Sequence, residues 1–170
     1  MQHYTRAWRL LLEYDEGRLA DAPPRPESEA FRLTLALARG LIADLSTALV
    51  ARGQAGSLFA QERGEQLAAI LGAIDQTFDG RLLYPSVQLR AANLLYLVIK
   101  DHPFSDGNKR IGALLFLEYL SRNDLLARAD GAQRIADNAM VALALLIAES
   151  EPGQRDLVIR LIMSLLEGDD

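Results

Sequence analysis

The residues of this chain able to do chemistry sit together in one stretch, His102-Pro103-Phe104-Ser105-Asp106-Gly107-Asn108-Lys109-Arg110. His102 is the only ring base there, and an imidazole can take a proton from an attacking hydroxyl near neutral pH. Asp106 can hold Mg²⁺, an ion that accepts one or two carboxylates and completes its shell with waters and substrate phosphates. Gly107 has no Cβ, so the backbone can come close to an oxygen ligand. Lys109 and Arg110 put two cations into the first turn of a helix, where the helix dipole disfavours them. A polyphosphate bound between them, on the free N–H groups of that helix start, removes the conflict. Phe104 differs in character and reads as the apolar peg of the loop. The set suits phosphoryl or nucleotidyl transfer. The plainer alternative is a solvated turn and helix cap carrying a surface histidine.

Positioning such a loop falls to the elements around it. Val87 to about Lys100 is apolar nearly all round, with Ser86 after Pro85 as its N-cap, which predicts a helix at the centre of a bundle. Lys109 to about Arg122 resumes helix with Ile111, Leu114, Leu115, Phe116, Leu117 and Leu120, and Asn123-Asp124 ends it. Upstream, Glu27 to Arg52 and Glu62 to Phe78 read as helices by their apolar spacing. An amphipathic piece, about Thr5 to Leu19, carries Trp8, Leu11 and Leu12 on one side. Asp21-Ala22-Pro23-Pro24-Arg25-Pro26 is a linker, because its prolines deny a helix its donors. Asp79-Gly80 is a turn, and Arg81-Leu82-Leu83-Tyr84-Pro85 suits an extended segment or small hairpin. Two more helices follow, Asp137 to Glu149 with Asp137 as N-cap, and Arg155 to Leu166. The expected fold is all-α with a small β-like excursion before Tyr84.

The chain has 170 residues, half of them hydrophobic, which fits one domain with a real core. A net charge of -5 and scattered Lys and Arg argue against nucleic acid or an anionic membrane as partner. The absence of cysteine excludes disulfides, thiolate zinc sites and a cysteine nucleophile. Nothing reads as a secretory leader or a membrane span, since Glu118 cuts short the most apolar run, Leu114 to Leu117. The expected compartment is the cytoplasm.

The segment HPFSDGNKRIG resembles the signature of the Fic/Doc family, HxFx(D/E)GN(G/K)R. The likeness extends to Ser57-Leu58-Phe59, Ile70 to Phe78, Leu83-Tyr84-Pro85-Ser86 and Ile135 to Leu165, which look like the RhuM-type virulence branch. It covers about residues 57–166 as a Fic core, with 1–56 as looser N-terminal helices of a single domain, 1–170. In that branch the Fic region is often the C-terminal part of a longer protein. The resemblance implies a protein adenylyltransferase that moves AMP, or another nucleoside monophosphate, from ATP with Mg²⁺ to a Ser, Thr or Tyr hydroxyl of a target protein. It implies His102 as general base and Asp106 as metal ligand. Gly107, Asn108, Lys109 and Arg110 would form the nucleotide site, with Arg110 clamping the terminal phosphates. Leu82, Leu83 and Tyr84 would be a flap aligning the target by strand addition. The alternative for those three is a plain hairpin on the core.

Two departures bear on this resemblance. The adenylylating pattern continues GNGRxxR, and here Lys109 replaces the glycine while Ala113 stands in place of the second arginine. Lys109 resembles the Doc branch of phosphate-transferring kinases, whereas Gly107 does not, so the transferred group stays open between the two. The self-inhibiting pattern (S/T)xxxE(G/N) is also missing, because Leu12 precedes Glu16-Gly17 and Met163 precedes Glu167-Gly168 at the required place. Inhibition then falls to a separate protein, an antitoxin, or to none. A catalytically idle binding module is the rival from another class, and the intact His102, Asp106, Asn108 and Arg110 speak against it.

Overall fold

The computed structural model describes residues 5–20 and 30–167. Among them are seven α-helices and one two-stranded antiparallel hairpin. In chain order these are α1 (Thr5–Asp15), α2 (Leu35–Ala51), α3 (Gln66–Ile74), β1 (Thr77–Phe78), β2 (Arg81–Leu82) and α4 (Val87–Asp101). Then come α5 (Asn108–Arg122), α6 (Asp137–Glu149) and α7 (Arg155–Glu167), the last preceded by a 3₁₀ turn at Pro152–Gln154.

α4 is the axis of the bundle. Twelve of its fifteen residues are buried, and it packs against α3, α5, α6 and α7. The Ser86 hydroxyl accepts the Leu89 N–H at 3.1 Å, the N-cap its position predicts. α4 and α5 approach closely at Gly112, where an added Cβ would lie 3.2 Å from Ile99 Cγ1. That close approach fixes how the loop between the two helices is presented. No helix among the described residues is long and apolar enough to cross a membrane.

Several boundaries differ from expectation, each for a local reason. α2 begins at Leu35, because the Thr34 hydroxyl accepts the Leu37 N–H at 3.2 Å and caps the helix there. Ahead of it Phe31 docks sideways: its N–H donates to Asn123 Oδ1 at 2.9 Å and its ring meets Tyr119. α3 is shorter than Glu62 to Phe78, since Glu62 is engaged with the loop after α4 and Phe78 pairs with Arg81 in the hairpin. Ala136 rather than Asp137 is the N-cap of α6; Asp137 takes the first helical position, where its charge still suits the dipole. α1 ends at Asp15, and Trp8, Leu11 and Leu12 face solvent. The proline linker lies outside the described residues.

Candidate active site

The loop 102–107 leaves α4 through a left-handed residue and enters α5 through another. His102 is the C-cap of α4 at φ 49°, ψ 60°, and Gly107 is the N-cap of α5 at φ 93°. A histidine in this region is uncommon and persists only when its surroundings over-determine it. Between the two caps the chain drops Phe104 into the core, where it is 1% exposed. His102, Ser105, Asp106, Lys109 and Arg110 remain exposed around a cleft of about 340 Å³, with Ile99 and Ala148 on its wall. That volume lies at the small end of the range for ligand sites.

Asn108 braces the loop from inside. Its Oδ1 accepts the Phe104 N–H at 3.0 Å, and its Nδ2 donates to the Phe104 carbonyl at 2.9 Å. Both faces of the amide are thereby assigned, so it is Nδ2 that meets His102 Nδ1 at 3.3 Å. His102 Nδ1 is then the acceptor, and the neutral ring carries its proton on Nε2. Below the brace, the first turn of α5 leaves the N–H groups of Asn108, Lys109 and Arg110 without helical acceptors, while Ile111 already donates to Gly107 at 2.8 Å. The residues of this first turn, at the positive end of the helix dipole, line the cleft.

A second segment, residues 54–63, builds the outer wall. The Ala60 N–H donates to the Asp106 carbonyl at 3.1 Å, the Ser105 N–H to Gln61 at 2.9 Å, and the Arg63 N–H to Pro103 at 2.8 Å. Phe59 stands against Gly107: a Cβ added there would come within 2.3 Å of Phe59 Cε2. The direction expected to admit an oxygen ligand is therefore filled by a ring, and glycine is needed both for that ring and for the left-handed backbone. Arg110 lies over the same ring at 4.6 Å, donates to the Gln54 carbonyl at 2.9 Å and keeps 3.7 Å from Asp106. Glu62 takes a two-pronged contact from Arg39 of α2 at 2.9 and 3.0 Å. That hydrogen bond holds the Arg39 pKa above its ordinary value.

The structure thus gathers His102, Phe104, Asp106, Gly107, Asn108, Lys109 and Arg110 into one site. It does not bring Leu82, Leu83 and Tyr84 there. The Leu83 N–H donates to Gln76, and the Tyr84 carbonyl accepts from Arg90, near the start of α4. α4 then runs fifteen residues to His102, roughly 20 Å along its axis. The segment that pairs with the loop is Phe59–Arg63, of which the family likeness takes in Phe59 by name, while Glu62 and Arg63 read from sequence as the start of a helix. Its signal was weak, since a short irregular stretch has no periodicity to read.

A helical bundle whose two central helices are joined by a histidine-bearing anion loop, walled by an extended segment, defines a Fic-type fold. Residues 15–120 match the family model described as Fic/DOC family, and the chain belongs to that family. Its members are commonly transferases, generally of nucleotidyl groups, and generally use ATP and Mg²⁺. Comparison with curated proteins and with solved structures gives no match.

Proposed function

We propose that this chain transfers a nucleoside monophosphate, AMP foremost, from a Mg-nucleotide to a Ser, Thr or Tyr hydroxyl of a target protein. The observation that carries the reading is the cleft itself, which His102, Asp106 and the first turn of α5 with its cations Lys109 and Arg110 line together. The target oxygen bonds to the α-phosphorus, the bond from that phosphorus to its bridging oxygen breaks, and pyrophosphate leaves. His102 takes the hydroxyl proton. Its lone pair rests against Asn108 across a long contact, so arrival of the hydroxyl exchanges that contact for one with substrate. The α5 N–H groups receive the charge that builds on the phosphorus oxygens. Arg110, already steadied on Phe59, turns its guanidinium to the distal phosphates.

Asp106 fits a metal that arrives with the nucleotide. Its carboxylate is half-exposed at the cleft, and the described residues hold no cluster of three or more His, Cys, Asp or Glu for a resident ion. One carboxylate plus phosphates and waters is a set Mg²⁺ accepts, so Asp106 would hold the ion, which would supply neutralisation of phosphate charge. The outer edge of Phe59–Arg63, rather than Leu82–Tyr84, is the place for a target strand, because among the described residues it is the segment that bridges to the loop strand-fashion. Membership of the RhuM-type branch, a single domain over 1–170, a cytoplasmic site of action and a separate inhibitor protein belong to the same reading.

Phosphate transfer is the second reading, favoured by Lys109 on the cleft wall where the adenylylating pattern has glycine. Incubation with lysate and ATP labelled at the α or the γ phosphate separates the two. Label from the α position is expected on the modified target. Label arriving only from γ makes the chain a kinase and overturns the nucleotidyl assignment.

A further inference from the structure

The last carbonyl of α4 and the two that follow it are received by one short stretch of chain. The Arg63 N–H donates to Pro103, and the Gln66 side chain, its amide nitrogen turned toward the helix end, donates to Asp101 at 3.1 Å and to His102 at 3.2 Å. This orientation sets nitrogen against the two carbonyl oxygens, where the reverse would set oxygen against oxygen. Three consecutive carbonyls, of residues 101, 102 and 103, are thus met from the first turn of α3 and the residues just before it. The middle one belongs to the left-handed histidine whose ring lines the cleft.

We infer that Gln66 is a positioning residue for His102. The inference rests on the proposed transfer reaction for its kinetic consequence, though not for its geometry. A histidine at φ 49° has an easier backbone conformation to fall into, and releasing its carbonyl lets the peptide planes on both sides rotate. Rotation there swings the Cα–Cβ bond and carries the ring away from Asn108 and from the hydroxyl it must meet. The Asn108 brace holds the ring at Nδ1, and Gln66 holds the backbone from the α3 side. Gln66 is itself exposed and makes no contact with the cleft, so its loss leaves the phosphate-binding groups in place.

Three variants test this. Gln66→Glu keeps the shape but replaces both donors by acceptors at the C-terminal end of α4, where negative charge is disfavoured. Gln66→Ala removes the donors alone. Gln66→Lys restores a donor that the same helix end favours. Glu and Ala are expected to lower kcat by about 10-fold or more with the nucleotide KM within about two-fold, and Lys to recover most of the loss. The chain has two histidines, so the ring signals of His102 are resolvable by NMR in each variant. They are expected to move in Glu and Ala and to return in Lys. Parental kcat and unmoved His102 signals in Gln66→Glu overturn the inference. A loss of kcat that Lys does not recover also overturns it, since that marks general damage to α3. If the parent chain transfers nothing, the functional reading fails, and the ring signals still decide whether Gln66 sets His102.

Discussion

At its N-terminal end α4 buries an arginine, and beyond its C-terminal end a histidine cap, the loop and the first turn of α5 expose an imidazole, an aspartate and two cations. Arg90 is 2% exposed and donates to the Tyr119 hydroxyl at 3.0 Å and the Tyr84 carbonyl at 2.9 Å. Nearby, Arg155 of α7 reaches Asn93 Oδ1 at 3.0 Å and lies over the Tyr96 ring. Polar groups at this end are spent on one another and on backbone, which fastens the hairpin and α7 to the axis. At the other end Asn108 is satisfied inside the loop, while His102, Asp106, Lys109 and Arg110 line a cleft with exposed side chains, held there by long or surface contacts such as Arg110 to Gln54 and to Asp106. The difference lies in what meets the charge. Where protein groups meet it, the result is rigidity, and where the cleft is left to meet it, the result is a capacity to bind.

The sharpest way to break this contrast is His102→Ala. Transfer is expected to fall by about 10²–10⁴-fold, because a positioned base contributes on that order while touching little of the fold. Thermal unfolding should be nearly unchanged, and a variant that transfers at the parental rate removes His102 from the mechanism. Arg90→Met addresses the opposite end, and urea unfolding should show a loss of about 2–4 kcal/mol from the buried acceptors it strands. Unchanged stability there means the network is dispensable and the two ends do not differ in kind. The smallest effect is expected from Leu83→Ser in the hairpin, within about 0.5 kcal/mol of parental stability and with parental transfer, as befits an exposed residue far from the loop. A large drop in transfer by Leu83→Ser would show that targets reach across to the hairpin after all.

Legibility followed the range of the interactions. α4 and α5 could be read closely because Ser86, the apolar runs and Asn123 are local signals. The loop chemistry could be read because its residue types are contiguous. The start of α2 could not, since the helical spacing from Phe31 onward is overridden by docking of Phe31 on Tyr119 and Asn123, far along the chain. The same holds for the outer wall. Ser105 finds Gln61, and Gly107 finds Phe59, only after α3, the hairpin and all of α4 have been laid down between them. The composition of Arg81–Pro85 reads as extended, and its first two residues do form a hairpin strand, at the other end of the helix from the loop.

The pairing of 59–63 with 103–106 also limits how the site can be moved between proteins. The motif reads as a portable helix–loop–helix, yet a graft of α4, the loop and α5 alone would arrive without the acceptor for Ser105, the donor for Pro103 and the ring that flanks Gly107. The transplanted loop would keep every residue of the motif and lose the conformation that gives them their bearings. For a protein engineer, the smallest transferable cassette starts at Gln54, whose carbonyl receives Arg110, and includes everything through Arg122.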